Sequence, residues 1–248
     1  MRDILYRQMA IDFCCSFEDV SDAGNHFTEF QYPEGRRSFR EEPECFLKLA
    51  VINNKLLFTG KKDIVEWCRH EYSGTGSAWF LEAKNLRRLN DRLHEDGYQI
   101  ELLHPFYIPG KHVEADPGRY EIRWFDNKEI EQFRGDSRFT EAYSFCGSAP
   151  DVIGVAAVQN DRILGMAGAS ADSPLMWQIG INVEEDARGA GIGKLLVVLL
   201  KNRIQEQGIL PYYGTAFSHI ASQKVALGSG FIPAWVELTT SKQAPERN

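Results

Sequence analysis

The chain has 248 residues, 43% of them hydrophobic and 25% charged, with 35 acidic side chains against 28 basic ones and a formal net charge of −7. That length suits one large domain or two small ones, and it can bury a core without disulfide staples. The acid surplus excludes non-specific nucleic-acid binding, which needs a basic surplus, and it leaves open a solvated acidic surface or a cationic substrate.

Five cysteines, Cys14, Cys15, Cys45, Cys68 and Cys146, form no C-x-x-C pair and are odd in number. Reduced thiols in a cytoplasmic protein, with no metal site, are the expectation. The N-terminal stretch MRDILYRQMAIDFCCSFEDV carries early charges and no long apolar run, so no signal peptide is expected. No segment approaches the ~20 apolar residues of a membrane helix, so no membrane partner is expected either.

Along the chain, the charged stretch Gly35–Glu44 predicts a solvated loop. Cys45–Ile52 and Lys55–Phe58 flank an Asn53-Asn54 tip and predict a β-hairpin. Lys61–His70 and Glu82–Glu95 predict helices; the second spaces Leu86, Leu89 and Leu93 on one face and stops at Gly97. Tyr98–Ile108 predicts a strand closed by Pro109-Gly110. Lys111–Arg119 lacks periodicity and carries Pro117-Gly118, which places a domain boundary there, with a small α+β domain over 1–115 and a second domain over 116–248.

In the second domain, Tyr120–Phe125 predicts a strand and Asn127–Arg134 a short helix. Val152–Val158 and Ile163–Ser170 predict strands around an Asn160-Asp161 turn, and Leu175–Val183 a third. A helix over Ile192–Gln207, a strand over Pro211–Ala216, a helix over Ile220–Leu227 and a strand over Ala234–Thr239 complete a mixed α/β sheet. Trp79, Trp124 and Trp235 are expected in the core. Strand alternation sends Trp177 and Gln178 to opposite faces, and likewise Tyr212 and Tyr213.

The segment that carries chemistry is Ile179-Gly-Ile-Asn-Val-Glu-Glu-Asp-Ala-Arg-Gly-Ala-Gly-Ile-Gly-Lys. A strand ends, an acidic turn follows, and a glycine-dense loop opens an amphipathic helix whose apolar face is Ile192, Leu195, Leu196, Leu199, Leu200 and Ile204. A helix N-terminus offers unpaired N–H groups and partial positive charge. Gly189, Gly191 and Gly193 let the backbone approach an anion closely, and Arg188 adds a full charge. The loop reads as a phosphate cradle, or more simply as a tight turn capping a core helix. It is not a P-loop, because Leu195 stands where the hydroxyl should be, and Gly-x-Gly-x-Gly is not the dinucleotide fingerprint.

Arg188-x-x-Gly191-x-Gly193 after a strand, with the later Ser222-x-x-Val225-Ala226-x-x-x-Gly230-Phe231, resembles the acetyl-CoA loop and fold of GNAT acetyltransferases over about Tyr120 to Thr240. The stretches GMAGASADSPLMWQIGI and PYYGTAFSHIASQKVALGSGFIPAWVEL resemble a bacterial subgroup with an extra N-terminal domain, which includes the zwittermicin A resistance acetyltransferase.

The resemblance implies a GNAT fold in the C-terminal half and acetyl-CoA (coenzyme A) as cofactor. It implies transfer of the acetyl group to a primary amine of a small molecule by direct attack. A module that binds acyl-CoA without transfer, and a protein N-acetyltransferase, are the alternatives. Ile181, Asn182 and Val183 would pair with the pantetheine arm, and Arg188, Gly189, Ala190, Gly191, Ile192, Gly193 and Lys194 would hold the pyrophosphate.

The family's tyrosine acid would fall at Ala226 and its usual asparagine at His219, so the sequence departs from the pattern at both. His219, Ser222 and Tyr213 are the remaining candidates for proton transfer, with His219 and Ser222 also near the cofactor. Asp172 is read as a turn former or as the holder of a cationic substrate. Glu184, Glu185 and Asp186 read as a solvated acidic turn. A monomer or homodimer is expected.

Overall fold

The structure is a computed structural model that describes residues 1–38 and 45–243; the rest of the expected Gly35–Glu44 loop lies outside the described residues. The helices are α1 (Arg2–Asp12), α2 (Phe17–Ser21), α3 (Lys62–Tyr72), α4 (Ala83–Glu95), α5 (Asn127–Ile130), α6 (Ile192–Glu206) and α7 (Ile220–Gly228). The strands are β1 (His26–Glu29), β2 (Leu47–Ile52), β3 (Lys55–Gly60), β4 (Tyr98–Pro109), β5 (Glu121–Asp126), β6 (Asp151–Gln159), β7 (Arg162–Ser170), β8 (Met176–Val183), β9 (Leu210–Gly214) and β10 (Phe231–Lys242). The chain divides into two units, one of residues 6–36, 42–106 and 234–248, the other of residues 1–5, 37–41 and 107–233.

The unit that opens at residue 6 holds strands in the order β1-β3-β2-β10-β4. Asn53 and Asn54 both take positive φ, 48° and 59°, which gives the tight tip that the β2–β3 hairpin requires. Leu89 and Leu93 of α4 pack with Leu49, Phe58 and Ile64 in one apolar cluster, and Leu86 sits at its edge. The return of the chain at 234 follows from β10, whose Trp235–Thr239 pairs antiparallel with Lys48–Ile52. A single division between 115 and 116 has no such return. Helices α1 and α2 and strand β1 are additions to the sequence expectation. Trp79 departs from it: the side chain is 74% exposed, not core.

The other unit is built on β9-β8-β7-β6-β5. Strands β5 to β8 form an antiparallel meander, with Asn160 and Asp161 at positive φ in the β6–β7 turn, and β8 and β9 run parallel. Helix α6 covers one face, burying Ile192, Leu196, Leu200 and Ile204 with Val155, Ala157, Ala167 and Ile179. Ile130, Phe133, Phe139 and Tyr143 pack with Ala156, Val158 and Met166 in a separate cluster. Alternation along β6 and β7 therefore yields two cores. Trp124 is 39% exposed and so is also not a core residue, whereas Trp235, in the first unit, is 3% exposed. Among the described residues, no helix is long and apolar enough to cross a membrane.

Candidate acetyl-CoA cleft

The site begins with an interrupted ladder. Strand β8 pairs with β7 from Gln178↔Ser170 as far as Val183↔Gly165. Its parallel pairing with β9 has only three rungs, Met176↔Leu210, Trp177↔Pro211 and Gln178↔Tyr212. Beyond Gln178 the two strands part. The edge of Ile179–Val183 toward β9 therefore has no ladder partner among the described residues, and it offers backbone donors and acceptors to an extended ligand.

At the far end of that edge the chain turns through Glu185–Ala187 into the loop, and Arg188 Nε reaches back to Val183 O at 3.3 Å. Asp186 is paired with Arg162 at 2.7 Å, and Arg138 approaches Glu184 at 3.5 Å, so the acidic turn is partly neutralised. Gly189 and Gly191 take φ of +81° and +80°, and a Cβ on either would meet nothing within 4 Å. Gly191 caps α6, accepting from the Leu195 amide at 3.0 Å. Among the described residues, the amides of Gly189 through Lys194 donate to no protein acceptor. Residues Arg188–Gly191 are exposed. Unclaimed amides, a helix N-terminus and a nearby guanidinium fit a diphosphate. Gly193 sits deeper: a Cβ there would touch Val183 and Val225 at 3.5 and 3.6 Å.

The face of β8 opposite α6 is shaped by a second set of glycines. Gly154, Gly168 and Gly180 are register partners across β6, β7 and β8. Residues Glu141–Tyr143 lie in the trench they leave. An added Cβ would fall 1.8 Å from the Tyr143 hydroxyl at Gly154, 2.1 Å from the Ala142 carbonyl at Gly168, and 1.8 Å from the Glu141 carbonyl at Gly180. The Asn182 side chain anchors the segment by accepting from the amides of Glu141 and Ala142 at 2.9 and 2.8 Å.

Alternation separates Tyr212 from Tyr213, as it separates Trp177 from Gln178. Tyr213 packs in the α6 cluster, and its hydroxyl lies 2.9 Å from Ser222 Oγ on α7. Burial raises the Tyr213 pKa, the Ser222 hydrogen bond opposes that, and the Glu141 carboxylate adds to the rise. Tyr213 and Ser222 are thus brought together. His219 is exposed at the start of α7, and its side chain caps nothing.

Tyr212 turns the other way. Its hydroxyl donates to Asp172 and lies 3.0 Å from Gln178 Oε1. Asp172 also accepts from Ser170 Oγ at 2.6 Å. This buried network and the glycine trench escape a reading of the sequence, because both depend on which residues become register partners.

Residues 118–231 match the model of the Acetyltransferase (GNAT) family. This segment is a GNAT acetyltransferase domain. The chain therefore carries an acetyl-transferring enzyme domain of a family whose cofactor is acetyl-CoA. Solved structures to which the chain is similar include a GCN5-related N-acetyltransferase-like protein from Streptococcus suis (16% identity, 64% of this chain and 68% of that one, TM-score 0.43). They also include a GCN5-related N-acetyltransferase from Kribbella flavida (16%, 64% and 64%, 0.46) and a Salmonella typhimurium protein determined with its cofactor acetyl-CoA (11%, 53% and 98%, 0.37). No curated protein matches the chain.

Proposed function

We propose that the protein transfers the acetyl group of acetyl-CoA to a primary amine of a small molecule by direct attack of the amine on the thioester. The observation that carries this is the parting of β8 from β9 directly upstream of a loop with unclaimed amides. In this reading Arg188 and the amides of Gly189–Lys194 hold the pyrophosphate, including those of Ala190 and Ile192. The backbone of Ile181, Asn182 and Val183 pairs with the pantetheine amides. Cofactor binding supplies an activated thioester at the inner end of the cleft. A backbone N–H on that free edge polarises its carbonyl.

Tyr213, hydrogen-bonded to Ser222, protonates the leaving sulfur, while His219 borders the cofactor from the start of α7. The two-domain bacterial acetyltransferases that the flanking segments resemble offer a functional analogy.

The test is thiol release from acetyl-CoA with putrescine, tryptamine, glycinamide and a peptide bearing a free N-terminus. At least one of the three small amines is expected to accelerate release tenfold or more over the amine-free rate. Tight coenzyme A binding with no acceleration by any amine would make the protein a binding module. Acceleration by the peptide alone would make it a protein acetyltransferase.

A further inference from the structure

An exposed carboxylate stands beside the inner half of the cleft, and the transfer described above does not yet use it. Ile179, Ile181 and Val183 pack toward α6, so alternation turns Gly180 and Asn182 to the opposite face of β8. On that face the chain at Glu141 is held twice. Its amide donates to Asn182 Oδ1 at 2.9 Å, and its carbonyl oxygen fills the place that a Gly180 Cβ would take. Both anchors lie on the stretch of β8 that β9 leaves unpaired, so the Glu141 backbone is fixed against the cleft.

The Glu141 side chain is exposed, and among the described residues its carboxylate has no hydrogen-bond or ion-pair partner. Nearby acids are already matched. Glu184 faces Arg138 and Arg162 at 3.5 and 3.8 Å, and Asp186 faces Arg162 at 2.7 Å. Asp172, a sequence candidate for holding a cation, is 2% exposed and accepts from Ser170 and Tyr212. The Glu141 charge also acts through the sheet. Burial raises the Tyr213 pKa against the Ser222 bond, and Glu141 adds to the rise from the other side of β8. With the pantetheine amides on Ile181–Val183, the thioester lies inward of them, at Ile179–Gly180, and so beside Glu141. The attacking nitrogen must be neutral there. A bare carboxylate acting on that nitrogen would hold it in the unreactive ammonium form, so the charge suits a different group on the acceptor.

Building on the acetyl-transfer reading, we propose that Glu141 is a specificity-determining residue that binds a second positive charge on the acceptor. The substrate class is then a diamine, or an amine with another cationic group a short spacer away from the attacking nitrogen. Such an acceptor enters from the Glu141 face, while Tyr213 and Ser222 meet the sulfur from the α6 face. Glu141 exchanges no proton in this role. The N–C bond forms and the C–S bond breaks at the neutral nitrogen, whose proton passes to water. The sulfur takes a proton from Tyr213, which regains one from solvent.

The experiment compares kcat/KM for putrescine with that for n-pentylamine, which carries a methyl group where putrescine carries its second ammonium. The wild type is expected to prefer putrescine about tenfold, the worth of one charge-assisted contact. In Glu141→Gln, which keeps the shape and removes the charge, the ratio of the two is expected to fall about tenfold. A merely structural defect would lower both rates and leave their ratio. Glu141→Lys reverses the charge, is expected to lower the ratio further, and carries the test if thermal melts show that Glu141→Gln does not fold. A folded variant of either kind whose ratio stays within threefold of wild type overturns the inference while the acetyl-transfer reading stands. So does a wild type that acetylates tryptamine or glycinamide but takes putrescine no better than n-pentylamine. A wild type that acetylates none of these amines overturns that reading first, and this inference with it.

Discussion

Two sets of glycines do opposite work in the same unit. Gly189 and Gly191 lie in an exposed loop where an added Cβ meets nothing, and what they supply is backbone at positive φ with amides left unclaimed. Gly154, Gly168 and Gly180 lie in a row across three strands, where the missing Cβ atoms are replaced at contact distance by Glu141–Tyr143. In the proposed reading the first set keeps a space open for a ligand, whereas the second is already filled by the protein. Substitutions should therefore separate them cleanly, the trench responding in stability and the loop in cofactor affinity.

The largest effect is expected in the trench. In Gly180→Ala the new carbon would lie 1.8 Å from the Glu141 carbonyl oxygen, and both partners are backbone, so neither can rotate away. Strand or segment must move. The expected loss is about 3 kcal/mol or more, a fall of roughly 6–12 °C in Tm for a domain of this size. Gly189→Ala has only the strain of its positive φ to accommodate and should cost about 1 kcal/mol. Thermal melts of the two variants side by side check the contrast; equal melts would mean that the segment does not occupy the trench in solution.

Next in size is Gly191→Glu. The side chain has room, so the fold should survive with a loss on the order of the φ strain. The carboxylate would, however, stand among the amides of Gly189–Lys194 and repel a diphosphate placed there. Coenzyme A affinity is expected to fall about a hundredfold by titration calorimetry, with Tm changed by only a few degrees. Affinity within threefold of wild type would remove the loop from the site.

How far each set could be read in advance follows from the range of the interactions. The loop is local: Arg188 through Lys194 are consecutive, the strand before them and the helix after them carry their own periodicity, and the glycine loop at a helix N-terminus follows from chain order alone. The hairpin tip at Asn53-Asn54 and the opposed faces of Tyr212 and Tyr213 were legible for the same reason. The trench is non-local. Gly154, Gly168 and Gly180 become one feature only through two strand registers, and Glu141–Tyr143 arrives from an irregular stretch with no period to announce it. Asp172 shows the same limit. In sequence it is a plausible turn residue, and only the fold brings Tyr212 and Ser170 onto its two oxygens. The exposed Trp79 and Trp124 mark a different one, since ring size predicts burial on average and not at a given position.

The smallest effect tests how much of the loop's attraction is charge and how much is backbone. Arg188 is exposed, with its Nε 3.3 Å from the Val183 carbonyl, so its guanidinium works in high dielectric. A charge-assisted hydrogen bond is worth about 1.5–3 kcal/mol at best, and solvent screening here should reduce that to about 1.4 kcal/mol, a factor of ten. Arg188→Gln is thus expected to weaken coenzyme A binding about tenfold at low salt. The amides lose nothing in this variant and are little screened at contact distance. The gap from wild type should therefore narrow to about threefold or less as ionic strength rises to 0.5 M. Calorimetric titrations at the two salt concentrations read this directly. A gap that stays constant with salt would mean that Arg188 acts by bracing Val183 and the turn before the loop. A hundredfold gap at low salt would mean that the side chain, and not the helix N-terminus, carries the anion.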